Sequence, residues 1–302
     1  LDQAEGTIGR HAPGVTRGDL WGQVVSWLRL YLDFVVFAFG AVIGSFLNVC
    51  VHRMPLEESI VTPPSHCPHC NERIRWVDNI PLVSYLALRG KCRHCGAKIS
   101  PRYFLVELLT AVLFLLMWLK LTEWDRPLVH GIYFLKAPIY WMVIAGLIVA
   151  TFIDFEHYII PNEITFGGLI VGLLLSAIYP PLMDADTIKL SLLRSLLGAV
   201  VGGLSLLTVA VVGKLIFRKE AMGMGDVKLL AAIGAFFGWQ STLFTILVSS
   251  LLGGVVGVVL VLGRRKGWES RIPYGPYIAF GAVLWMFCGH EIVNWYLSFI
   301  RG

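Results

Sequence analysis

The sequence predicts an all-α polytopic membrane protein of about eight transmembrane helices, with a small zinc-ribbon-like domain between the first two. Three observations carry this expectation. The 302 residues are 56% hydrophobic and only 15% charged, with a mean hydropathy of +0.71, a balance that belongs to lipid rather than to a soluble core. Long apolar segments recur along most of the chain. The one sizeable polar block, residues 53–103, contains two Cys-x-x-Cys pairs.

Residues 1–30 are expected to form a polar, interfacial N-terminal segment. Residues 1–20 contain Gly and Pro and lack an apolar run, so no cleavable signal peptide is expected. Trp21 and Trp27 suit a membrane-interface belt. The first transmembrane helix is predicted over 31–52, ending at His52-Arg53-Met54-Pro55, with Asp33 near its outer end and able to reach headgroups. After the polar block, apolar segments follow at about 104–121, 134–153, 163–179, 190–216, 229–263 and 275–299. Residues 229–263 are too long for one span, because 35 helical residues reach about 50 Å against a hydrocarbon core of about 30 Å. A break is predicted near Gly238-Trp239-Gln240-Ser241, with the first of the two resulting helices short or partly re-entrant.

Charge distribution orients the chain. With the N-terminus outside, the inner loops 52–103, 154–162, 214–228 and 264–271 hold 16 of the 25 Lys and Arg residues, as the positive-inside rule requires. A single span over 229–263 would place Arg264-Arg265-Lys266 outside. This orientation brings Asp154 and Asp226 to one face of the membrane, the cytoplasmic one, and leaves Asp125, Asp184 and Asp186 on the other.

Acids at the ends of membrane helices are costly and mark functional sites. Asp154 closes an apolar segment in Ile153-Asp154-Phe155, and Asp226 opens one in Gly223-Met224-Gly225-Asp226. Two carboxyls on one side of the bilayer could share a proton and activate water, the chemistry of an aspartic protease. Gly223 and Gly225 would let the chain pass close to a bound extended peptide. Asp226 taken alone reads more readily as a helix N-cap, and the rest of the chain reverses that preference. Glu156 reads as a solvated surface acid, Glu107 as a helix-dipole partner at the start of the second span, and Lys228 as a snorkelling lysine.

Cys67-Pro68-His69-Cys70 and Cys92-Arg93-His94-Cys95 supply two thiolates each from tight turns, the pattern of a tetrahedral Zn²⁺ site in a reducing compartment. A block of about 50 residues gains from such a staple. Arg73, Arg75, Arg89, Lys91 and Arg93 offset the thiolate charge. His66, His69 and His94 are expected to stay outside the completed shell, and Cys50 and Cys288 to be packing residues.

These motifs together resemble the bacterial type IV prepilin peptidases, bifunctional leader peptidases and N-methyltransferases of the Gly-x-Gly-Asp aspartic protease class. The resemblance covers most of 40–280. It rests on Gly44-Ser45-Phe46-Leu47-Asn48-Val49 through Arg53-Met54-Pro55; on the two Cys pairs with Trp76-Val77-Asp78-Asn79-Ile80-Pro81 and Arg89-Gly90; and on Arg102-Tyr103 with Glu107. It also rests on Asp154 with Ile160-Pro161-Asn162 and Thr165, on Gly223 to Leu230, and on Pro273-Tyr274-Gly275-Pro276. Asn162 departs from the pattern, since such proteins often carry an acid there. The resemblance implies Asp154 and Asp226 as the catalytic pair within a transmembrane protease domain at 104–299. It implies substrates that are type IV prepilins or type II secretion pseudopilins, cleaved after a Gly at the cytoplasmic edge of the inner membrane. It further implies methylation of the new N-terminus with S-adenosylmethionine as donor, although the sequence contains no convincing nucleotide loop. No nucleic-acid partner is expected. The rival readings are an ion-coupled transporter with an intramembrane Asp pair, disfavoured because both acids lie at one edge and no internal repeat is found, and a zinc-handling or redox protein, disfavoured by a closed four-Cys shell.

Overall fold

The structure is a computed structural model, and it describes residues 17–122, 131–218, 222–263 and 272–301. Among the described residues all regular structure is helical. Nine α-helices follow one another: α1 Arg17–Arg53, α2 Val83–Ala87, α3 Pro101–Thr122, α4 Gly131–His157, α5 Asn162–Ile178, α6 Ile188–Phe217, α7 Met224–Leu262, α8 Gly275–Leu284 and α9 His290–Arg301. A π-helical turn, Trp285–Gly289, joins α8 to α9. Among the described residues, six stretches are long and apolar enough to cross a membrane: Gln23–Leu56, Pro101–Thr122, Lys136–His157, Ile188–Ile216, Met224–Leu260 and Gly275–Ile300. The 17-residue α5 is apolar but shorter. The protein is a multi-pass membrane protein.

α7 contains the expected break. Gly238 has φ 79° and ψ −179°, a conformation essentially restricted to glycine. A Cβ placed on Gly202 of α6 would meet both Leu230 O at 2.6 Å and Thr242 Cγ2 at 3.0 Å. In a straight helix those two partners would be about 18 Å apart along the axis, so α7 doubles back and its limbs, 224–237 and 239–262, run antiparallel. Gly198 and Gly234 meet backbone to backbone where α6 crosses the first limb. Such close approach is the usual reason for small residues between membrane helices.

The other half of the molecule is built on α1, α3 and α4. Gly40 and Gly44 let α1 lie directly on α3, where added Cβ atoms would stand 2.8 Å from Ala111 Cα and 2.7 Å from Glu107 Cα. Phe114 stacks on Trp141 with ring centroids 5.3 Å apart, and the indole N–H of Trp141 donates to Phe114 O at 3.0 Å. Asp33, expected to reach toward headgroups, instead accepts a hydrogen bond from Trp118 Nε1 at 3.1 Å. A nearby indole satisfies the carboxylate more directly than distant water can. Residues 17–30, expected to be an interfacial lead-in, are the first turns of α1; residues 1–16 lie outside the described residues, as do Asp125 and Arg264-Arg265-Lys266.

At the opposite end of the second half, the amino group of Lys120 donates to Phe287 O within the π-helical turn and pairs with Glu291 at 3.1 Å. The π turn leaves carbonyls without their usual i+4 partners, and a cation is a natural cap for one of them.

Candidate active site and metal centre

Asp154 occupies the last turn of α4 and Asp226 the first turn of α7. Both are buried, at 5% and 8% exposure. Each carboxyl is held by a glycine amide. Gly275 N–H, at the start of α8, donates to Asp154 Oδ2 at 2.9 Å, and the backbone of Gly223 hydrogen-bonds the Asp226 carboxyl. Ile160 packs between the two sites, since Cβ atoms built on Gly225 and Gly275 would each meet its side chain at 3.1 Å. The two carboxyls lie near enough to interact electrostatically. Three separate stretches, 154–160, 223–226 and 273–276, therefore converge on one spot.

Glycine leaves room for both carboxyls, tightly so at Gly275. A Cβ on Gly275 would lie 2.8 Å from Asp154 Oδ2, and one on Gly223 would lie 3.2 Å from Asp226 Oδ2. Tyr274 fixes the turn that presents Gly275, its hydroxyl bonding Ser249 Oγ at 2.8 Å and Ser250 Oγ at 3.3 Å on the second limb of α7. Sequence reasoning noted Pro273-Tyr274-Gly275-Pro276 as a motif but assigned it no role. A backbone donor leaves no trace in residue type, so the motif's residues alone did not reveal it.

Three flanking residues behave differently from expectation. Lys228 does not snorkel away: its Nζ donates to Asn162 Oδ1 at 3.0 Å and lies 4.7 Å from the Phe166 ring centroid. Glu156, expected to be merely solvated, forms a bidentate ion pair with Arg102 Nη1 at the start of α3. Glu107 is not a helix-dipole partner; it is buried and accepts from Leu82 N at 2.8 Å, tying α3 to the polar block. In each case a specific partner within reach outcompetes solvent or a diffuse dipole.

In the polar block, Cys67, Cys70, Cys92 and Cys95 come together with all four sulfurs within 4.8 Å of one another. The two Cys turns are built alike. Asn71 N and Gly96 N donate back to Cys67 O and Cys92 O, at 2.9 and 3.0 Å, and both residues take left-handed φ values of 57° and 72°. Antiparallel bridges His66–Arg73 and Lys91–Lys98 close the two turns.

The donor set fits a metal ion. Zinc–thiolate bonds of about 2.3 Å in a tetrahedron put sulfurs about 3.8 Å apart, and Cys67 Sγ lies 3.9 Å from Cys95 Sγ. The backbone N–H groups of Cys70 and His69 lower the Cys67 thiol to about 7. Those of Cys95 and His94 lower Cys92 as well. Cys70 accepts a lowering hydrogen bond from Glu72, but burial and the neighbouring sulfurs outweigh it and push the thiol up to about 12. Four thiols this close cannot all ionise without a cation among them. The cluster contains no histidine among the described residues.

Comparison with known proteins agrees with this anatomy. Residues 38–121 match the Bacterial Peptidase A24 N-terminal domain, and residues 141–258 match the Type IV leader peptidase family. A Prepilin leader peptidase/N-methyltransferase of Aeromonas salmonicida is 38% identical over 304 residues, covering 91% of this chain and 96% of the relative. One of Myxococcus xanthus is 42% identical over 235 residues, covering 77% of this chain and 65% of the relative. One of Pseudomonas aeruginosa is 38% identical over 285 residues, covering 86% and 91%. No solved structure matches. With both family models matched across its two halves and relatives aligned over nearly its whole length, the chain belongs to the type IV leader peptidase family.

Proposed function

We propose that this chain is a membrane aspartic endopeptidase that removes the leader of a type IV prepilin or type II secretion pseudopilin, with Asp154 and Asp226 as its catalytic pair. The single observation behind the assignment is the pair itself: two buried carboxyls from different helices, each held by a glycine amide around Ile160. One carboxylate takes a proton from water as it attacks the scissile carbonyl, while the protonated partner donates to the carbonyl oxygen. The proton is then returned to the leaving amine. Gly223 and Gly225 flank Met224, which is 54% exposed, and this open turn is suited to lie along an extended leader.

The same reading gives the chain methyltransferase activity on the new N-terminal amine. S-adenosylmethionine would supply an electrophilic methyl group; this half of the function rests on family membership, and no set of residues is assigned to the donor. Zn²⁺ held by Cys67, Cys70, Cys92 and Cys95 is structural, because four thiolates leave no open coordination position. Positive charge concentrated in the loops on the Asp154 side favours a site facing the cytoplasm from the bacterial inner membrane.

The test is purified protein in nanodiscs with a prepilin, followed by mass spectrometry of the product N-terminus with and without S-adenosylmethionine. Leader removal without the donor, and a methylated product only with it, is expected. An intact prepilin in the presence of folded, metal-loaded protein would defeat the proposal.

A further inference from the structure

We infer that the metal-binding domain is not suspended in water but lies in the adjacent leaflet, inserting α2 and the turn before it among the lipid headgroups.

The first observation is depth. Leu82, the residue that opens α2, gives its backbone N–H to Glu107 Oε2 at 2.8 Å. Glu107 is the seventh residue of α3, about 9 Å along the helix from its start. Its carboxyl is also hydrogen-bonded by Ser45 of α1, well inside that span. The ion pair of Arg102 with Glu156 sets the first turn of α3 level with the last turn of α4. The start of α2 is thus about as deep as Asp154, or one turn deeper. Leu82 has φ 62° and ψ −50°, the centre of a γ-turn closed by Val83 N–H donating to Pro81 O at 2.6 Å, a rare and strained conformation. The buried carboxylate holds it there.

The second observation is what this depth exposes. Val83 and Leu86, one turn apart on α2, are 60% and 63% exposed, and Trp76, Val77 and Ile80 just before them are 81%, 46% and 40% exposed. Five large apolar side chains exposed within residues 76–86 are more than a small domain in water ordinarily displays. Leu105 and Leu108, on α3 near the level of Glu107, are themselves exposed at 53% and 36%, so lipid reaches this depth beside them.

The third observation is charge. Arg89 and Lys91 follow α2 directly, and residues 53–103 carry eight Lys and Arg against four Asp and Glu. A short apolar face with a Trp at its edge and basic residues behind it is the pattern of an interfacial segment on an anionic bilayer. The partner inferred is therefore phosphatidylglycerol-type lipid surface.

The experiment uses the unaltered, metal-loaded chain in nanodiscs containing a phospholipid with a photoreactive diazirine in the upper acyl chain. After irradiation, labelled residues are mapped by peptide mass spectrometry. Label on residues 76–87 is expected at a density within about threefold of that on Leu105 and Leu108, since all share one depth. Leu86→Lys and Val83→Lys should each reduce label on α2 more than on α3, with zinc content unchanged as the check on folding. Label on α3 but none on 76–87 would overturn the inference. So would label on 76–87 that a prepilin peptide displaces selectively, because the face would then belong to the substrate.

Discussion

Gly275→Ala isolates what one backbone amide does. The new Cβ would stand 2.8 Å from Asp154 Oδ2, where ordinary contact begins at 3.4 Å, so the carboxylate must retreat by the difference, about 0.6 Å. Ile160 Cδ1, at 3.1 Å from the same point, closes the other escape. That displacement exceeds the about 0.5 Å within which catalytic groups must be held, and it lengthens a hydrogen bond to a charged acceptor worth about 1.5–3 kcal/mol. With tenfold in rate for every 1.4 kcal/mol, kcat should fall by roughly 10- to 150-fold. Stability should not follow it down. Gly275 opens α8 with a helical backbone, and alanine is the better helix former by up to about 1 kcal/mol. The assay is the initial rate of leader removal over a range of prepilin concentrations, beside a thermal unfolding curve. KM should change little, because the amide holds the reacting group rather than the peptide. Gly254→Ala, with nothing within 4 Å of the added methyl, is the control and should cleave normally. A Gly275→Ala protein with undiminished kcat would mean that the amide does not position Asp154.

Other expectations follow from the same geometry. Asp154→Asn and Asp226→Asn should each lower cleavage by at least about 10³-fold while the chain still inserts; substantial cleavage by either purified variant would remove that residue from the pair. The cleavage rate should be bell-shaped in pH. At low pH both carboxyls are protonated and no base remains, while at high pH both are ionised and no acid remains. A flat alkaline limb in folded protein would count against a shared proton. Purified chain should hold one zinc, and Cys67→Ser or Cys92→Ser should harm folding of the domain and methylation more than hydrolysis; equal loss of both in a well-folded variant would contradict that division. Zinc affinity should weaken as pH falls, because each ligand thiol must lose its proton to bind, and should fall more steeply below about 7, where Cys67 also becomes protonated. A metal affinity that is constant between pH 8 and pH 6 would argue against thiolate ligation.

The large features were legible because they follow from polarity and length. Residues 229–263 were too long for one span, and Gly238 supplied the fold-back. Lys and Arg counts placed Asp154 and Asp226 on one face, and the structure brings them together at Ile160. Cys spacing alone marked the metal cluster. Pairwise contacts were not legible. Nothing in the sequence pairs Arg102 with Glu156, 54 residues away, or Leu82 with Glu107, 25 residues away. Both depend on how helix ends align, which hydropathy locates only to within a turn or so. The amide of Gly275 escaped for a deeper reason, since every residue but proline has one and only position makes it useful.

The helices around the carboxyl pair do not end together. Leu230 lies against Gly202, so Asp226 is level with about residue 206 of α6, yet α6 continues to Phe217, about 16 Å further. The second limb of α7 runs past the same level to Leu262, about 18 Å by the same rise. Both extensions are apolar and open, with Leu215 and Leu262 at 74% and 77% exposure. On the other side α4 stops at His157, three residues after Asp154. A bilayer that follows these apolar surfaces would stand higher on one wall of the site than on the other. Such a slope would create a wet notch below the general membrane surface. A peptide bond at the top of a membrane-anchored helix could meet water there while the helix below it stays in oil, so that the aqueous phase would come down to the substrate instead of the substrate being drawn out.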